Sequence, residues 1–173
     1  AGQGSLTFRH PGAARLFSLG FGKEEPGWMG EGSVALIARI IVDGPVITLP
    51  FVNLVAAETR LGGEARLELT TPRPRITLNI AAENLALPAP DPADQDPLPW
   101  APLALMDGTL SLTAASLAVF GLPAVQDAKA ELALEAGRLR LEVFQAALAG
   151  GRIEGRGTLD AASQPPSISG DFE

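Results

Sequence analysis

The sequence has 173 residues, a net charge of −7, a 5% aromatic share, and no cysteine or tyrosine. This length suits one sizeable core or two small units in tandem, and the core must be mainly aliphatic. The acidic charge argues against nucleic acid and anionic lipid headgroups as partners, because both require a basic surface. The lack of cysteine excludes disulfides and thiolate metal sites.

The first predicted elements are a short helix, a loop and a hairpin. Residues 11–19 begin with proline and are followed by Gly20, which are helix start and stop signals. Residues 23–32 form the predicted loop. The run Val34–Val42 is apolar on both faces, and its valine and isoleucine content favours a strand over a short helix. A hairpin over residues 35–49 is predicted to turn at its Asp-Gly pair.

Alternation of apolar and polar residues dominates the rest of the chain and predicts strands. Each alternating run has one apolar and one polar face, which is typical of antiparallel sheets. Parallel pairing would need unbroken apolar strands and crossover helices, and the sequence shows neither. The fold class is therefore all-β and antiparallel, with at most one short helix. The alternating runs are residues 65–69, 75–80, 109–113, 128–135 and 138–143, the last two joined by a turn at Gly137.

A segment rich in proline and aspartate divides the chain. Residues 88–99 contain too many prolines to pair in a sheet or to continue a helix. We interpret this segment as a linker between a first β unit, residues 1–87, and a second β unit, residues 100–173. The chain begins at Ala1 rather than at Met, and we expect it to be an excerpt of a longer protein.

The two halves resemble each other at a spacing of about 90 residues. The run Gly62–Leu69 is followed by a proline turn and an alternating strand, and the run Gly150–Leu159 is followed in the same way. A hairpin precedes each run. An internal repeat of hairpins predicts an elongated, curved sheet or open groove.

The pattern of glycines, turns and strands over residues 98–161 resembles the C-terminal region of AsmA family proteins. Residues 63–87, with a Pro-Arg-Pro turn before an alternating strand, are similar to the preceding repeat of that family. The matching features in the second half are Met106-Asp107-Gly108, Gly121-Leu122, the turn at Gly137, residues 146–151 and Gly155-Arg156-Gly157-Thr158-Leu159.

The resemblance implies a place and a role. AsmA-like proteins are anchored in the inner membrane by an N-terminal helix, extend into the periplasm, and are associated with outer-membrane biogenesis. They are similar in build to bridge-like lipid carriers, in which a long curved sheet presents an apolar groove. For this chain the resemblance implies a periplasmic location, a membrane-anchored parent protein and phospholipid as a partner, and it names no protein partner.

The apolar face of such a sheet must be covered by a second sheet, by helices or by lipid chains. One short helix is insufficient, so two alternatives stay open: a closed core, by sheet packing or barrel closure, and a lipid-lined groove. Lipid transport and a purely structural or protein-interaction β module are the matching functions. The residues proposed for a groove are Ile76, Leu78, Leu110, Leu112, Leu132, Leu134, Leu139 and Leu141.

Side chains for catalysis are sparse. His10 is the only histidine, and no nucleophile motif accompanies it. Asp91, Asp94 and Asp96 lack the glycine and the terminal glutamate of a calcium loop. We therefore expect no enzymatic activity and no cofactor.

Overall fold

The strands of the protein lie side by side in the same order as they occur in the chain. The computed structural model describes residues 1–12, 32–56, 59–70, 72–87, 103, 105–119, 123–161, 163 and 167–173. These residues form one ten-stranded sheet and contain no α-helix. The strands are β1 (Gly2–His10), β2 (Val34–Asp43), β3 (Val46–Ala56), β4 (Thr59–Glu68), β5 (Arg75–Leu87), β6 (Asp107–Val119), β7 (Val125–Glu135), β8 (Arg138–Leu148), β9 (Gly151–Asp160) and β10 (Ser167–Phe172). The predicted all-β fold is confirmed.

The structure contains several of the predicted strands and hairpins at the predicted positions. The run Val34–Val42 lies in β2, and the first hairpin turns at Gly44, whose φ of +56° suits glycine. The second predicted hairpin joins β7 to β8, with positive φ at Ala136 and Gly137. Residues 13–19 of the predicted helix, most of the predicted loop and residues 88–99 lie outside the described residues.

One strand pair differs from the antiparallel prediction. Strand β5 pairs with β6 in parallel, while the other eight neighbouring pairs are antiparallel. The chain leaves β5 at Leu87 and re-enters the sheet at Asp107, which is in register with Arg75 at the start of β5. A parallel neighbour requires such a return connection, and the chain between Leu87 and Asp107 supplies it. The predicted division into two units at residues 88–99 stays a prediction, because one sheet contains the strands on both sides.

The sheet consists of two five-stranded units, a first unit (β1–β5) and a second unit (β6–β10), which meet at the parallel pair. Their irregularities recur 92 positions apart. The β3–β4 register shifts between Leu49 and Val52, and the β8–β9 register shifts between Leu141 and Phe144. The β2–β3 and β7–β8 pairs also shift at matching positions. Because a β-bulge bends a strand and increases its twist, the two units bend at the same places.

The structure aligns the two repeats differently from the sequence comparison. The sequence matched Gly62 and Gly63 with the glycine pair at 150 and 151. The strand register instead equates Gly63 with Gly155, since Gly63 pairs with Val52 as Gly155 pairs with Phe144. Gly150 belongs to the turn before β9, with φ of +84°. The two glycine pairs serve different roles, one inside a strand and one in a turn.

The most buried side chains are mainly alanines, and most of them lie toward one end of the strands. Among the described residues no polar side chain is buried. One cluster comprises Ala82, Ala114, Leu117, Ala128 and Ala146, which we call the buried end, and a smaller cluster joins Val34 and Ala56. Small side chains let neighbouring segments approach closely at that end, and they leave the larger aliphatic side chains to the rest of the face.

Candidate functional site

The eight residues proposed for a groove lie on one face of β5–β8. Strand register brings four of them into a single row that crosses the sheet from strand to strand. Leu78 pairs with Leu110, Leu110 pairs with Leu132, and Leu132 pairs with Leu141. We call these four residues the leucine row. It crosses the parallel junction of the two units without interruption, so the apolar face belongs to the whole sheet rather than to either unit.

Two further rows flank the leucine row. Nearer the buried end lies the row of Leu112, which pairs with Ile80 in β5 and with Ala130 in β7. On the opposite side lies an outer row that crosses six strands. Its members are Ile76, Gly108, Leu134, Leu139, Leu159 and Ile168. The face therefore presents three parallel apolar rows, with no charged residue among the positions named.

The eight proposed residues are all half-buried. None of them is among the most buried residues, which near these positions are mainly alanines. The strands contact chiefly their neighbours in the sheet, and within the described ranges no second layer packs on this face. These side chains are half-buried because neighbouring rows on the same face shield one another. The tips of the leucines stay accessible.

A shallow apolar cavity of about 330 Å³ lies on the second unit. Gly157 and Gly170 pair with each other across β9 and β10, so no side chain stands between the flanking rows at that point. The cavity volume is near the lower limit of ligand pockets, about 300 Å³. Its apolar walls are Leu132, Leu139 and Leu141 from the proposed set, with Leu159, Ile168 and Phe172.

The sequence comparison missed the contribution of β9 and β10 to this cavity. The signal was present in the alternation of Ile168 with its two serine neighbours and in the short glycine spacing of β9. Glycines inside strands, however, indicate a bulge or a close backbone approach rather than a cavity. The paired Gly157 and Gly170 do lie at a close backbone approach, since an added Cβ would lie 3.1 Å from the carbonyl oxygen of Ser169 and 3.0 Å from that of Arg156, and neither brings a side chain into the cavity that they line.

The opposite face of the sheet is polar and carries exposed ion pairs. Arg138 Nη2 lies 2.7 Å from Asp160 Oδ2, and Arg60 Nη1 lies 3.6 Å from Glu83 Oε2. The hydrogen bond with Asp160, together with its charge, raises the pKa of Arg138. Asn79 donates a hydrogen bond of 2.6 Å to Glu64 across the strands. Exposed pairs of this kind add little stability, so this face is a solvated surface.

The described residues hold no constellation typical of catalysis or metal binding. His10 Nδ1 lies 2.8 Å from the carbonyl oxygen of Gly12, to which it donates when it carries the proton, and the imidazole stacks on Phe8. Among the residues that the structure describes, no group of three or more histidine, aspartate or glutamate side chains is placed to hold a metal ion. Within the same ranges no helix has the length and apolarity needed to cross a membrane.

Comparison with known protein families matches residues 63–170 to the AsmA family. The match covers more than half of the chain and extends from β4 to β10, so it includes the parallel junction, the leucine row and the cavity. No curated protein and no solved structure matches the chain.

Proposed function

The chain belongs to the AsmA family, and on that premise we propose that it handles phospholipid by holding acyl chains along the leucine row in the periplasm. Family membership supports a role in the cell envelope or in outer-membrane biogenesis in general. The observation that carries the finer proposal is the continuity of the half-buried leucine row across β5–β8, with an apolar row on each side of it.

The dimensions and chemistry of the rows suit an acyl chain. Neighbouring strands are about 4.8 Å apart, so the four strands of the leucine row span about 14 Å. Each methylene removed from water contributes about 0.8 kcal/mol. An extended apolar chain that crosses the strands on this face gains that contribution along its length, and it meets no charged side chain in the rows.

The charges of the protein suit a ligand that is bound by its tails. The net charge is −7, and the ion pairs lie on the face opposite the rows. An anionic headgroup gains nothing from such a surface. In this proposal the acyl chains occupy the rows, the headgroup remains in solvent, and lipids with different headgroups bind alike.

The rest of the proposal follows from the same chemistry. The chain acts without catalysis, because the apolar rows contain no acid, base or nucleophile and His10 is engaged by Gly12. It binds no nucleic acid, since that would require a basic face. The family resemblance, rather than this chemistry, extends the proposal to a parent protein that is anchored in the inner membrane, with the sheet in the periplasm.

The proposal is tested by mass spectrometry of organic extracts from the purified chain, expressed in bacteria, against a matched soluble protein. We expect phospholipid at about one molecule or more per chain in the wild type. We expect Leu110→Asp to lose that lipid, because a carboxylate in the row would be desolvated beneath an acyl chain at a cost of several kcal/mol. Circular dichroism confirms that the variant is folded.

Ser111→Asp is the matched control, because Ser111 is the exposed neighbour of Leu110 on the opposite face. It adds the same charge to the same strand and is expected to retain the lipid. A folded, lipid-free wild type whose Leu110→Asp variant unfolds would identify the face as a closed protein core and contradict the proposal.

One observation favours the alternative function of a structural or interaction module. Strand β1 is exposed along almost its whole length, including the side chains of Leu6 and Phe8. An open strand edge of this kind can pair with another chain. A folded wild-type chain that carries no lipid would favour that alternative over lipid handling.

A further inference from the structure

Strand β2 carries apolar side chains on both faces of the sheet. Ala38 is buried and pairs with Val52. Gly63 connects Val52 to Ile80, so all of them lie on the face of the apolar rows. The neighbouring residue Ile37 therefore points to the opposite face, where it is 45% exposed. A strand that is apolar on both faces is typical of a sheet that is covered on both sides.

One guanidinium and three apolar side chains meet on that opposite face, and we call them the back patch. Its members are Arg39, Ile37, Ile41 and Phe51. The two isoleucines flank Arg39 at alternate positions of β2, about 7 Å away along the strand, and Phe51 pairs with it across the strands. Phe51 is 50% exposed, and no other strand that the structure describes packs over the patch.

The equivalent positions of the second unit are occupied differently. In β7 and β8, Glu131 pairs with Val143 at the positions that correspond to Arg39 and its partner in β3. Lys129, which is exposed, takes the place of the more exposed isoleucine. Alternating charged side chains are typical of a solvated face. The shared fold therefore does not require apolar side chains at these positions, and the back patch is a property of the first unit alone.

The guanidinium of Arg39 restricts what can cover the back patch. Arg39 is exposed and forms no ion pair within the described part of the chain. A wholly apolar cover would bury this charge without a partner, which is strongly unfavourable. A carboxylate in the cover would instead form a charge-assisted hydrogen bond with it. The cover that fits the patch therefore presents apolar side chains around one carboxylate.

The surroundings of the patch favour a protein helix over a membrane or a second copy. Asn53 pairs with Ile37, and Glu64 lies opposite the bulge that contains Phe51. Apolar faces at a membrane surface enter it by about 5–10 Å, which would bury these polar neighbours as well. Two back patches packed about a twofold axis would bring like charges together. A helix is about 10 Å wide, which matches the two strands of the patch.

We propose that the back patch binds an amphipathic helix of another protein, whose apolar stripe carries one aspartate or glutamate opposite Arg39. Ile37 and Phe51 are then the apolar anchors of the contact, and the polar side chains around them form its rim. The leucine row lies on the other face of the sheet and stays accessible. The contact therefore recruits a partner protein without competing for the ligand of the leucine row.

Site-specific photo-cross-linking in the bacterium that makes the protein tests this proposal. The photoreactive analogue p-benzoylphenylalanine replaces Phe51 in the whole protein, and in a matched control it replaces Val143, the equivalent residue of the second unit. We expect a product with one other protein from position 51 and none from position 143. Mass spectrometry of the linked peptide is expected to identify a helical segment with an acidic residue in its apolar stripe.

Charge variants test the role of Arg39 in the same experiment. Arg39→Glu is expected to lower the yield of the product about tenfold or more, because it places two carboxylates against each other. Glu131→Arg reverses the equivalent charge of the second unit and is expected to leave the yield unchanged. Replacing the acidic residue of the partner helix with arginine is expected to restore the product with Arg39→Glu. Circular dichroism of the purified variants confirms that they are folded.

Several results would overturn the proposal. A product with the protein's own chain, with a second copy or with lipid would identify a different cover for the patch. Equal products from positions 51 and 143, or no product from position 51, would show that the patch is not a binding surface. A yield that Arg39→Glu leaves unchanged would show that the contact does not involve a carboxylate at Arg39.

Discussion

The central glycine of each five-stranded unit lies between two apolar side chains, but those side chains differ. In the first unit Gly63 lies between Val52 and Ile80. In the second unit Gly155 lies between Phe144 and Phe172, whose rings meet edge to face at 6.4 Å. The backbone register is shared, while the space above the glycine is filled by β-branched aliphatic residues in one unit and by aromatic rings in the other.

The turns and one bulge also differ between the units. The β2–β3 hairpin turns at Gly44 and Pro45, whereas the β7–β8 hairpin turns at Ala136 and Gly137. Strand β7 contains an extra residue at Asp127, with φ of +49°, where the β7–β8 register shifts and the β2–β3 register does not. Turns and strand ends vary, while the bulges beside the central glycine recur. The recurring bulges bend the apolar face, which accounts for their presence in both units.

The largest expected effect is the loss of stability on replacing Gly63 with alanine, which should exceed the loss at Gly155. Gly63→Ala should destabilise the protein by about 3 kcal/mol, because Gly63 has φ of +155° and an added Cβ would collide with the backbone carbonyl of Asn79. Thermal unfolding should then shift down by roughly 6–12 °C. Gly155→Ala is the matched variant, since its Cβ would meet only the ring of Phe172.

Gly155→Ala should cost about 1 kcal/mol or less, because Phe172 is exposed on an edge strand and its ring can turn away. Equal shifts in the unfolding temperature for the two variants would contradict this distinction. They would mean that the aromatic pair in the second unit is as rigid as the backbone at Gly63.

The next prediction compares Leu117 with His10, which lie at equivalent strand ends and pair with equivalent valines. Leu117 pairs with Val125 in the second unit, and His10 pairs with Val34 in the first. Leu117 is only 5% exposed and belongs to the buried end. Leu117→Ala should cost about 2–3 kcal/mol by urea denaturation, in the lower part of the range for buried leucines because one sheet face surrounds it.

His10→Ala should cost less than about 1 kcal/mol, since His10 is half-buried and its polar bonds are local to Gly12. If the two alanine variants cost the same, the end of the first unit would be as firmly packed as the buried end of the second. The expected difference in packing between the buried end and the smaller cluster of Val34 and Ala56 would then be contradicted.

Much of the fold could be predicted from local sequence patterns. Alternation identified the strands around Leu78, Leu110 and Leu132, because side chains of a strand point to opposite faces in turn. The same alternation placed the eight proposed residues on one face, which strand register confirms. Whether they bind lipid is a prediction that awaits its experiment.

Other features depend on contacts between distant segments and could not be predicted in this way. The parallel pairing of β5 with β6 depends on which edge the chain returns to, and no residue near Leu87 or Asp107 encodes that choice locally. The cavity depends on Gly157 and Gly170 being in register. A shift of one residue in the β9–β10 pairing would separate these glycines and fill the space with a side chain.

The smallest expected effect comes from replacing Arg138, which forms an ion pair, with the residue type at the equivalent position of the first unit. Arg138 pairs with Asp160, whereas the equivalent strand position holds Val46 opposite Glu68. Arg138→Val should leave the denaturation midpoint unchanged at about 0.15 M and about 1 M salt, because the Arg138 side chain is exposed and its charge is screened by solvent and salt. The N–H of Ser163 still donates to Asp160 at 3.2 Å, so the carboxylate keeps a partner. The hydrogen bond with Asp160 and its charge raise the pKa of Arg138, so any stability that the pair contributes is present at neutral pH and is lost only as pH rises through the pKa of the guanidinium. A loss of stability at low salt that disappears at high salt would instead show that the second unit needs this charge pair where the first unit needs only a β-branched side chain.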